Sequence, residues 1–167
     1  MIRYISLLLF IGFAFGQYKM EIYNLIDSNG QKYAPNDDEP YTGKSFSFYG
    51  NSIGDYGQVE IERTYKDGKE DGLETSWYKN GQKRKEGIRK DGLRDGKQTG
   101  WYENGQKMYE GIYKDGKIDG LNTGWYENGQ KKREGTLNDG KEDGKWTYWY
   151  KNGQKRKEGI RKDGLRD

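Results

Sequence analysis

The chain has no histidine and no cysteine among its 167 residues. A Ser-His-Asp triad, a Cys-His pair and a zinc site with His or Cys ligands are therefore excluded, as is any disulfide. The sequence also has no phosphate-binding loop and no nucleophile with a recognisable base beside it. Hard-metal sites and carboxylate chemistry are not excluded by this absence, but the D-G-x-x-D-G spacing of the Asp-Gly pairs lacks the ligand density of a calcium loop. We expect no enzymatic activity, no catalytic residue, no metal site and no cofactor.

Apolar residues are scarce. They make up 31% of the chain, against 34% charged residues, a mixture that often indicates disorder. Aromatic residues, however, reach 15%, and they recur at a fixed spacing. Because disordered chains are usually poor in aromatics, the sequence favours an ordered, thin structure with a small core.

A repeat of 24 residues fills the C-terminal half of the chain. Its four blocks begin at Leu73, Lys97, Leu121 and Lys145, and the second and third blocks agree at 16 of 24 positions. A fixed period in this range is typical of arrays in which each unit packs on its neighbours. The repetition favours an assembly or binding surface over a single catalytic pocket.

Each block has the pattern of a β-hairpin. In residues 73–96, an aromatic strand runs into Asn80-Gly81, a strong signal for a two-residue type I′ turn. Asp91-Gly92 and Asp95-Gly96 are predicted to turn the chain into the next block. We therefore predict an all-β fold, an elongated antiparallel meander of stacked 24-residue hairpins.

A two-residue turn at Asn80-Gly81 sets the pairing within the hairpin. It places Trp77 opposite Arg84, Thr75 opposite Glu86 and Leu73 opposite Ile88. Since side chains alternate across a strand, these six residues share one face, which is the predicted core face. In the last block, Trp146 is predicted to lie opposite Gly159 and to cover its bare backbone.

Two aromatic columns are the candidate binding residues. One reading is core packing on both sides of a thin sheet, and the other is an aromatic groove for a sugar, an acyl chain or a peptide. We expect the Trp column to be packed and the Tyr column to be exposed. The columns are Trp77, Trp101, Trp125 and Trp149, and Tyr78, Tyr102, Tyr126 and Tyr150.

The N-terminal part divides into three segments. Residues 1–16 have Arg3, an apolar run too short to span a membrane, and small residues Ala14 and Gly16, as in a signal peptide cut before Gln17. Residues 17–40 form a leader with a predicted turn at 28–30 and a proline-bounded loop at 35–40. Residues 41–72 are interpreted as a first strand and a degenerate capping repeat, followed by the four repeats at 73–167. The expected location is periplasmic or secreted.

Charge is unevenly divided along the chain. Residues 17–72 carry 6 Lys/Arg and 11 Asp/Glu, a net −5, whereas residues 73–167 carry 23 and 16, a net +7. One interpretation is an array that attracts anionic lipid, glycan or nucleic acid, and the other is a solvated surface of mixed charge. Acidic residues interrupt every basic run, which argues against nucleic acid as a partner. Sheet edges at both ends of such an array leave end-to-end self-association open.

The repeat resembles a known family. Residues 109–120, Tyr-Glu-Gly-Ile-Tyr-Lys-Asp-Gly-Lys-Ile-Asp-Gly, are similar to the core of a MORN (membrane occupation and recognition nexus) repeat, and Trp-Tyr-Glu-Asn-Gly-Gln at 101–106 resembles the bacterial MORN variant. Standard units often have His where this chain has Asp119 and Asp143. The resemblance implies a curved single-layer sheet without catalysis, and proteins of the variant group are often labelled toxin–antitoxin antitoxins.

These observations support two hypotheses for function. The first is an exported protein-protein interaction or scaffolding module, antitoxin-like in neutralising a partner. The second is binding of anionic lipid or cell-envelope glycan through a basic, Tyr-rich face.

Overall fold

The computed structural model describes residues 25–49 and 58–166. The predicted signal peptide and the first eight residues of the leader lie outside them. Thirteen strands occur in the described part: β1 Ile26–Ser28, β2 Gln31–Tyr33, β3 Gly43–Phe48, β4 Val59–Lys66, β5 Lys69–Trp77, β6 Lys83–Lys90, β7 Leu93–Trp101, β8 Lys107–Lys114, β9 Lys117–Trp125, β10 Lys131–Asn138, β11 Lys141–Trp149, β12 Lys155–Lys162 and β13 Leu165–Arg166.

The strands form one long meander. β3 to β13 make a single antiparallel sheet in which each strand pairs only with its neighbours in sequence, and β1 pairs with β2 in a separate hairpin. Two strands and two turns make up each 24-residue period. The predicted all-β meander of stacked hairpins is therefore confirmed.

The two turns of each repeat differ from the prediction. The two-residue type I′ turn lies at Asp91-Gly92, where both residues have positive φ (49° and 85°). At the other end, Gly81 N–H donates to Tyr78 O (2.9 Å), and of the Asn80-Gly81 pair only Gly81 has positive φ (89°). This is a three-residue loop, a type I turn followed by a left-handed glycine. The predicted type I′ turn at Asn80-Gly81 is therefore wrong.

The longer loop shifts the pairing next to it. Trp77 lies opposite Lys83 rather than Arg84, and a bulge at Arg84 restores the predicted register further along, where Thr75 pairs with Glu86. The Leu73–Ile88 pair is likewise as predicted. Asp95-Gly96 lies within β7 and not in a turn, so that part of the prediction is wrong.

The large side chains of the predicted core face are not buried, although Thr75 between them is. Leu73 is 48% exposed and Ile88 is 47% exposed, and Trp77 is half-buried. The described part has one small hydrophobic cluster, formed by Ala34, Tyr41 and Tyr65 at the N-terminal end of the sheet. A single layer of strands has no second layer to cover its side chains, so the array depends on contacts between neighbouring strands.

The N-terminal hairpin docks on the first Asp-Gly turn. The predicted turn at 28–30 is present, with Asn29 and Gly30 at positive φ, and residues 35–40 form the predicted loop. Lys32 N–H donates to Gly68 O, and Gly68 N–H donates to Tyr41 O, both at 2.8 Å. The hairpin thus packs on the Asp67-Gly68 turn, the first of the Asp-Gly turns that recur in each repeat.

The repeat glycine makes room for a side chain from the next strand. A Cβ on Gly135 would lie 2.2 Å from the indole of Trp146, whose Nε1–H donates to Thr136 O (3.2 Å). Gln98 lies against Gly87 in the same way and donates to Ile88 O (2.7 Å). Both carbonyls lie beside a register shift in the ladder to the next strand.

Trp146 therefore covers a glycine other than the predicted one. It is paired with Gly159 as expected, but nothing lies within 4 Å of a Cβ built on Gly159. The indole bends over the preceding strand instead, where its Nε1–H donates to the carbonyl of Thr136. At 2% exposure, it is the most deeply buried side chain in the described part.

Between β4 and β5, at the start of the array, a cluster of ion pairs takes the place of the glycine contact. Arg63 occupies the glycine position opposite Glu74, and its Nε lies 3.1 Å from Glu74 Oε2. Arg89 contacts the same carboxylate (3.2 Å), and both arginines also approach Glu70. Burial alone raises the pKa of Glu74, but the charge of Arg89 and the hydrogen bonds from Arg89 and Arg63 outweigh it and hold the pKa below its usual value.

Candidate functional site: the Trp face

One face of the sheet, here called the Trp face, carries three parallel rows of side chains. Within each hairpin the row members are cross-strand pairs, such as Leu73–Ile88, Thr75–Glu86 and Trp77–Lys83. The aliphatic row is Leu73, Ile88, Lys97, Ile112, Leu121, Thr136, Lys145 and Ile160. The Thr–Glu row is Thr75, Glu86, Thr99, Glu110, Thr123, Glu134, Thr147 and Glu158. The Trp–Lys row is Trp77, Lys83, Trp101, Lys107, Trp125, Lys131, Trp149 and Lys155.

The Thr–Glu row is the floor of this face. Its four threonines are buried, and Thr123 and Thr147 donate to Glu134 and Glu158 at 3.1 and 3.2 Å. Each glutamate also accepts from the lysine three residues before it, as in the pair Lys131–Glu134 (2.7 Å). The carboxylates are thus held by fixed partners.

Two of the glutamates bind a second lysine from the aliphatic row. Glu110 contacts both Lys107 (2.8 Å) and Lys97 (3.0 Å). Glu158 contacts Lys155 (2.7 Å) and Lys145 (2.9 Å), and these hydrogen bonds lower its pKa to about 2. Both glutamates therefore stay ionised at neutral pH, and neither has the raised pKa expected of a general acid.

The Trp column is half-buried, and each ring after the first is covered by a lysine. The Nζ of Lys83, Lys107 and Lys131 lies 5.9, 5.6 and 5.7 Å from the ring centroid of the Trp one repeat ahead. Cation–π contacts of this kind stabilise neighbouring units by roughly 0.5–1 kcal/mol at exposed sites. The Trp side chains thus join one hairpin to the next.

The Tyr column joins repeats through the backbone. The hydroxyls of Tyr78, Tyr102 and Tyr126 donate at 2.8 Å to the carbonyls of Trp101, Trp125 and Trp149, and Tyr49 donates to Trp77 O at 2.5 Å. Tyr150 is 51% exposed, whereas the other three repeat tyrosines are half-buried. The expected division into packed Trp and exposed Tyr is therefore not observed, because both columns connect neighbouring repeats.

The loop asparagines make a second connection that the sequence reading missed. Asn104 Nδ2 donates to Glu127 O (2.9 Å) while its Oδ1 accepts from Gln106 N–H (3.0 Å). Asn80 and Asn128 make the corresponding bonds to Glu103 and Lys151. The signal in the sequence was the invariant Asn-Gly-Gln spacing, which serves the neighbouring loop as well as the turn itself.

The Leu and Ile side chains of the aliphatic row make no such connection among the described residues. Leu73, Ile88, Ile112, Leu121 and Ile160 are between 40% and 54% exposed. Beside this row lies an open depression of about 390 Å³, lined by Leu121, Glu134, Gly135, Thr136, Lys145, Thr147, Trp149, Lys155 and Glu158. Sequence reasoning had assigned these aliphatic side chains to a core and so missed them as surface residues.

A metal site was sought among the described residues as well. No group of three His, Cys, Asp or Glu side chains among residues 25–49 and 58–166 is placed to hold a metal ion. In the same segments, no helix is long and apolar enough to cross a membrane.

Comparison with known proteins identifies the repeat. The MORN repeat variant family matches four consecutive segments, 70–91, 94–115, 118–139 and 142–163. Each segment begins in the first strand of a hairpin and ends within the Asp-Gly turn that follows its second strand. No curated protein matches the chain. With four matches over more than half of its length, the chain belongs to the MORN repeat variant family.

Proposed function

We propose that the chain is an exported, non-enzymatic repeat protein that binds a protein partner across its sheet. MORN repeats are a non-catalytic repeat type with a general binding role. The observation that carries the proposal is the aliphatic row, whose five Leu and Ile side chains stay exposed on an ordered sheet. Exposed apolar side chains grouped on one face are typical of interaction sites, and here Leu73 and Ile88, and likewise Ile112 and Leu121, lie on neighbouring strands.

The repetition of polar groups also supports binding over catalysis. The Lys–Glu pair recurs in each repeat, as Lys83–Glu86, Lys107–Glu110, Lys131–Glu134 and Lys155–Glu158. A catalytic constellation is normally single, whereas a surface that extends over several repeats is suited to a long partner.

The proposal includes the processing of the chain. Residues 1–16 serve as a signal peptide, and the mature protein begins at Gln17 with a leader to residue 40. Residues 41–72 act as a capping repeat, and the four repeats then present the binding surface. The partner is an exported protein that the array scaffolds or, in an antitoxin-like role, neutralises.

Crosslinking in intact cells tests this function. We expect a secreted or periplasmic protein, chemically crosslinked to the mature chain, to be recovered in the same adduct from independent cultures. Recovery of unprocessed chain from the cytoplasm, or adducts with lipid or glycan alone, would contradict the proposal.

A second candidate is binding to anionic lipid or envelope glycan. The supporting observation is β12, where Arg156 and Lys157 are exposed and lie over the rings of Tyr150 (5.8 Å) and Tyr148 (4.4 Å). Flotation of residues 17–167 with anionic vesicles at physiological salt would favour this candidate. Flotation that is lost as soon as salt is raised would indicate only an electrostatic attraction that salt screens, and would count against this candidate.

A further inference from the structure

The three rows of the Trp face form a groove with two unlike walls. The aliphatic row and the Trp–Lys row stand on either side of the buried threonines, four residues apart along each first strand, as in Leu73, Thr75 and Trp77. At about 3.3 Å per residue, this separation is about 13 Å. The groove runs across the strands, along the axis of the array.

The depression lined by Leu121 and Trp149 is a deeper part of this groove. Its apolar wall is interrupted at Thr136, the smallest member of the aliphatic row, and Glu134 and Glu158 lie on its floor. These carboxylates are already paired with lysines, so an apolar side chain that enters here leaves no unpaired charge beneath it.

The dimensions fit an α-helix. The rows are about 13 Å apart between their Cα atoms, and their own side chains narrow the opening, so a helix about 10–12 Å across lies on this face with its apolar stripe between the rows. Five neighbouring strands span about 19 Å at 4.8 Å each, and a helix of about 13–16 residues covers that distance. Because sheets twist, a straight helix longer than this would leave the groove.

The charge of the walls selects an acidic helix. The three rows contain six lysines, Lys83, Lys97, Lys107, Lys131, Lys145 and Lys155, and four glutamates, which leaves an excess of two positive charges. Lys97 and Lys145 lie within the aliphatic row and are 58% and 60% exposed. Each pairs with a glutamate that also has a second lysine, Lys107 or Lys155, so each is placed to meet in addition an acidic residue that flanks an apolar stripe.

We infer that the Trp face binds an acidic amphipathic helix of the partner protein, with the helix's apolar stripe against Ile112 and Leu121. This inference rests on the proposed protein-binding function and names the chemistry of the partner. The mode is a helix laid in a groove, in which leucines at i, i+3 and i+4 contact the aliphatic row. Lys97 and Lys145 pair with the helix's glutamates.

A synthetic peptide tests the inference directly. The probe has about 16 residues, with Leu at i, i+3, i+4 and i+7 and Glu on the flanks. A scrambled peptide of the same composition and a peptide with Lys in place of Glu are the controls. We expect only the acidic amphipathic peptide to bind, as measured by anisotropy of a dye on the peptide, and to gain helical circular dichroism on binding.

Matched variants locate the peptide on the sheet. Ile112→Thr with Leu121→Thr should raise the Kd at least about tenfold, and the fold should survive because the row already carries Thr136. Leu93→Thr is the control, since Leu93 is 50% exposed at a turn beyond the three rows, and it should change the Kd by less than about twofold. Lys97→Gln with Lys145→Gln should weaken binding mainly at low salt.

Several results would overturn the inference. For the peptides, these are binding of the scrambled peptide, binding of the acidic peptide without a gain of helix, and no binding by any peptide. For the variants, they are an unchanged Kd in the double threonine variant and an equal rise of the Kd in Leu93→Thr. If the crosslinked partner of intact cells is retained by the double threonine variant, the helix inference fails while protein binding stands. If intact cells yield no protein adduct, the proposed function itself fails.

Discussion

The Tyr102 hydroxyl donates a hydrogen bond of 2.8 Å to the backbone carbonyl of Trp125, one full repeat further along the chain. Asn104 makes a parallel bond to Glu127 O, so two side chains from one loop are tied to the backbone of the next. The array is thus stabilised by contacts that repeat every 24 residues. The stability of any hairpin depends on its neighbours, as expected for a repeat array whose described residues form only one small hydrophobic cluster.

Removing the tyrosine hydroxyl should destabilise the array. Burial raises the pKa of Tyr102, so the hydroxyl stays a proton donor well above neutral pH. In Tyr102→Phe the carbonyl of Trp125 loses this donor, and we expect a loss of about 1 kcal/mol in urea unfolding. Tyr150→Phe is the control, because its hydroxyl makes no hydrogen bond within the described residues. Equal effects of the two substitutions would contradict this account.

The loop asparagines should show the same contrast. Asn104→Ala removes a bond within its own loop and a bond to the next repeat, whereas Asn152 lacks the second of these among the described residues. We expect Asn104→Ala to lower the free energy of unfolding by about 1 kcal/mol more than Asn152→Ala. Thermal unfolding followed by circular dichroism measures both. A larger effect at Asn152 would show that the turn itself, and not the link between repeats, matters most.

Two glycines at the same repeat position should respond in opposite ways to alanine. A Cβ on Gly135 would lie 2.2 Å from the Trp146 indole, whereas a Cβ on Gly159 meets open space. We expect Gly135→Ala to destabilise the chain by roughly 1–3 kcal/mol through overpacking. Gly159→Ala should be neutral or slightly stabilising, because alanine loses less backbone entropy in a strand. Urea midpoints that fall equally in both variants would refute the proposed role of Trp146.

The ion pairs around Glu74 should make the stability of the folded array fall in acid. The folded-state pKa of Glu74 is held below its usual value of 4.5, so its contribution to stability is present above that value and is lost as the pH falls through the folded-state pKa. We expect the free energy of unfolding of the wild type to exceed that of Glu74→Gln by about 1 kcal/mol at pH 7, and the difference to shrink as the pH falls below 4.5. Asp38→Asn, in the exposed loop away from these arginines, is the control. A gap that is independent of pH would contradict the prediction.

The sequence predicted the period, the hairpins and part of the register, because local patterns decide these. Thr75–Glu86 and Leu73–Ile88 pair as expected, since the bulge at Arg84 compensates for the longer loop. The turn geometry was not predicted, because Asn-Gly has two loop solutions and contacts a repeat away select between them. The exposure of Leu73 and Ile88 was missed for a similar reason: alternation assigns residues to a face, but does not show whether anything covers that face.

The binding role of the Tyr and Trp columns stays a prediction. Their recurrence was visible in the sequence, but the structure adds that Tyr102 and Trp125 already contact neighbouring repeats. A substitution there would disturb fold and binding together. The aliphatic row is therefore the better place to test recognition, since Ile112 and Leu121 are exposed.

Site-specific photocrosslinking in intact cells is the most direct test of the Trp face. A photoreactive side chain at position 121 is compared with one at position 93, since both leucines are about half exposed (54% and 50%) and lie at different places on the sheet. The account predicts a single protein adduct from position 121 and none from position 93. Equal adducts from both positions, or lipid adducts alone, would contradict it.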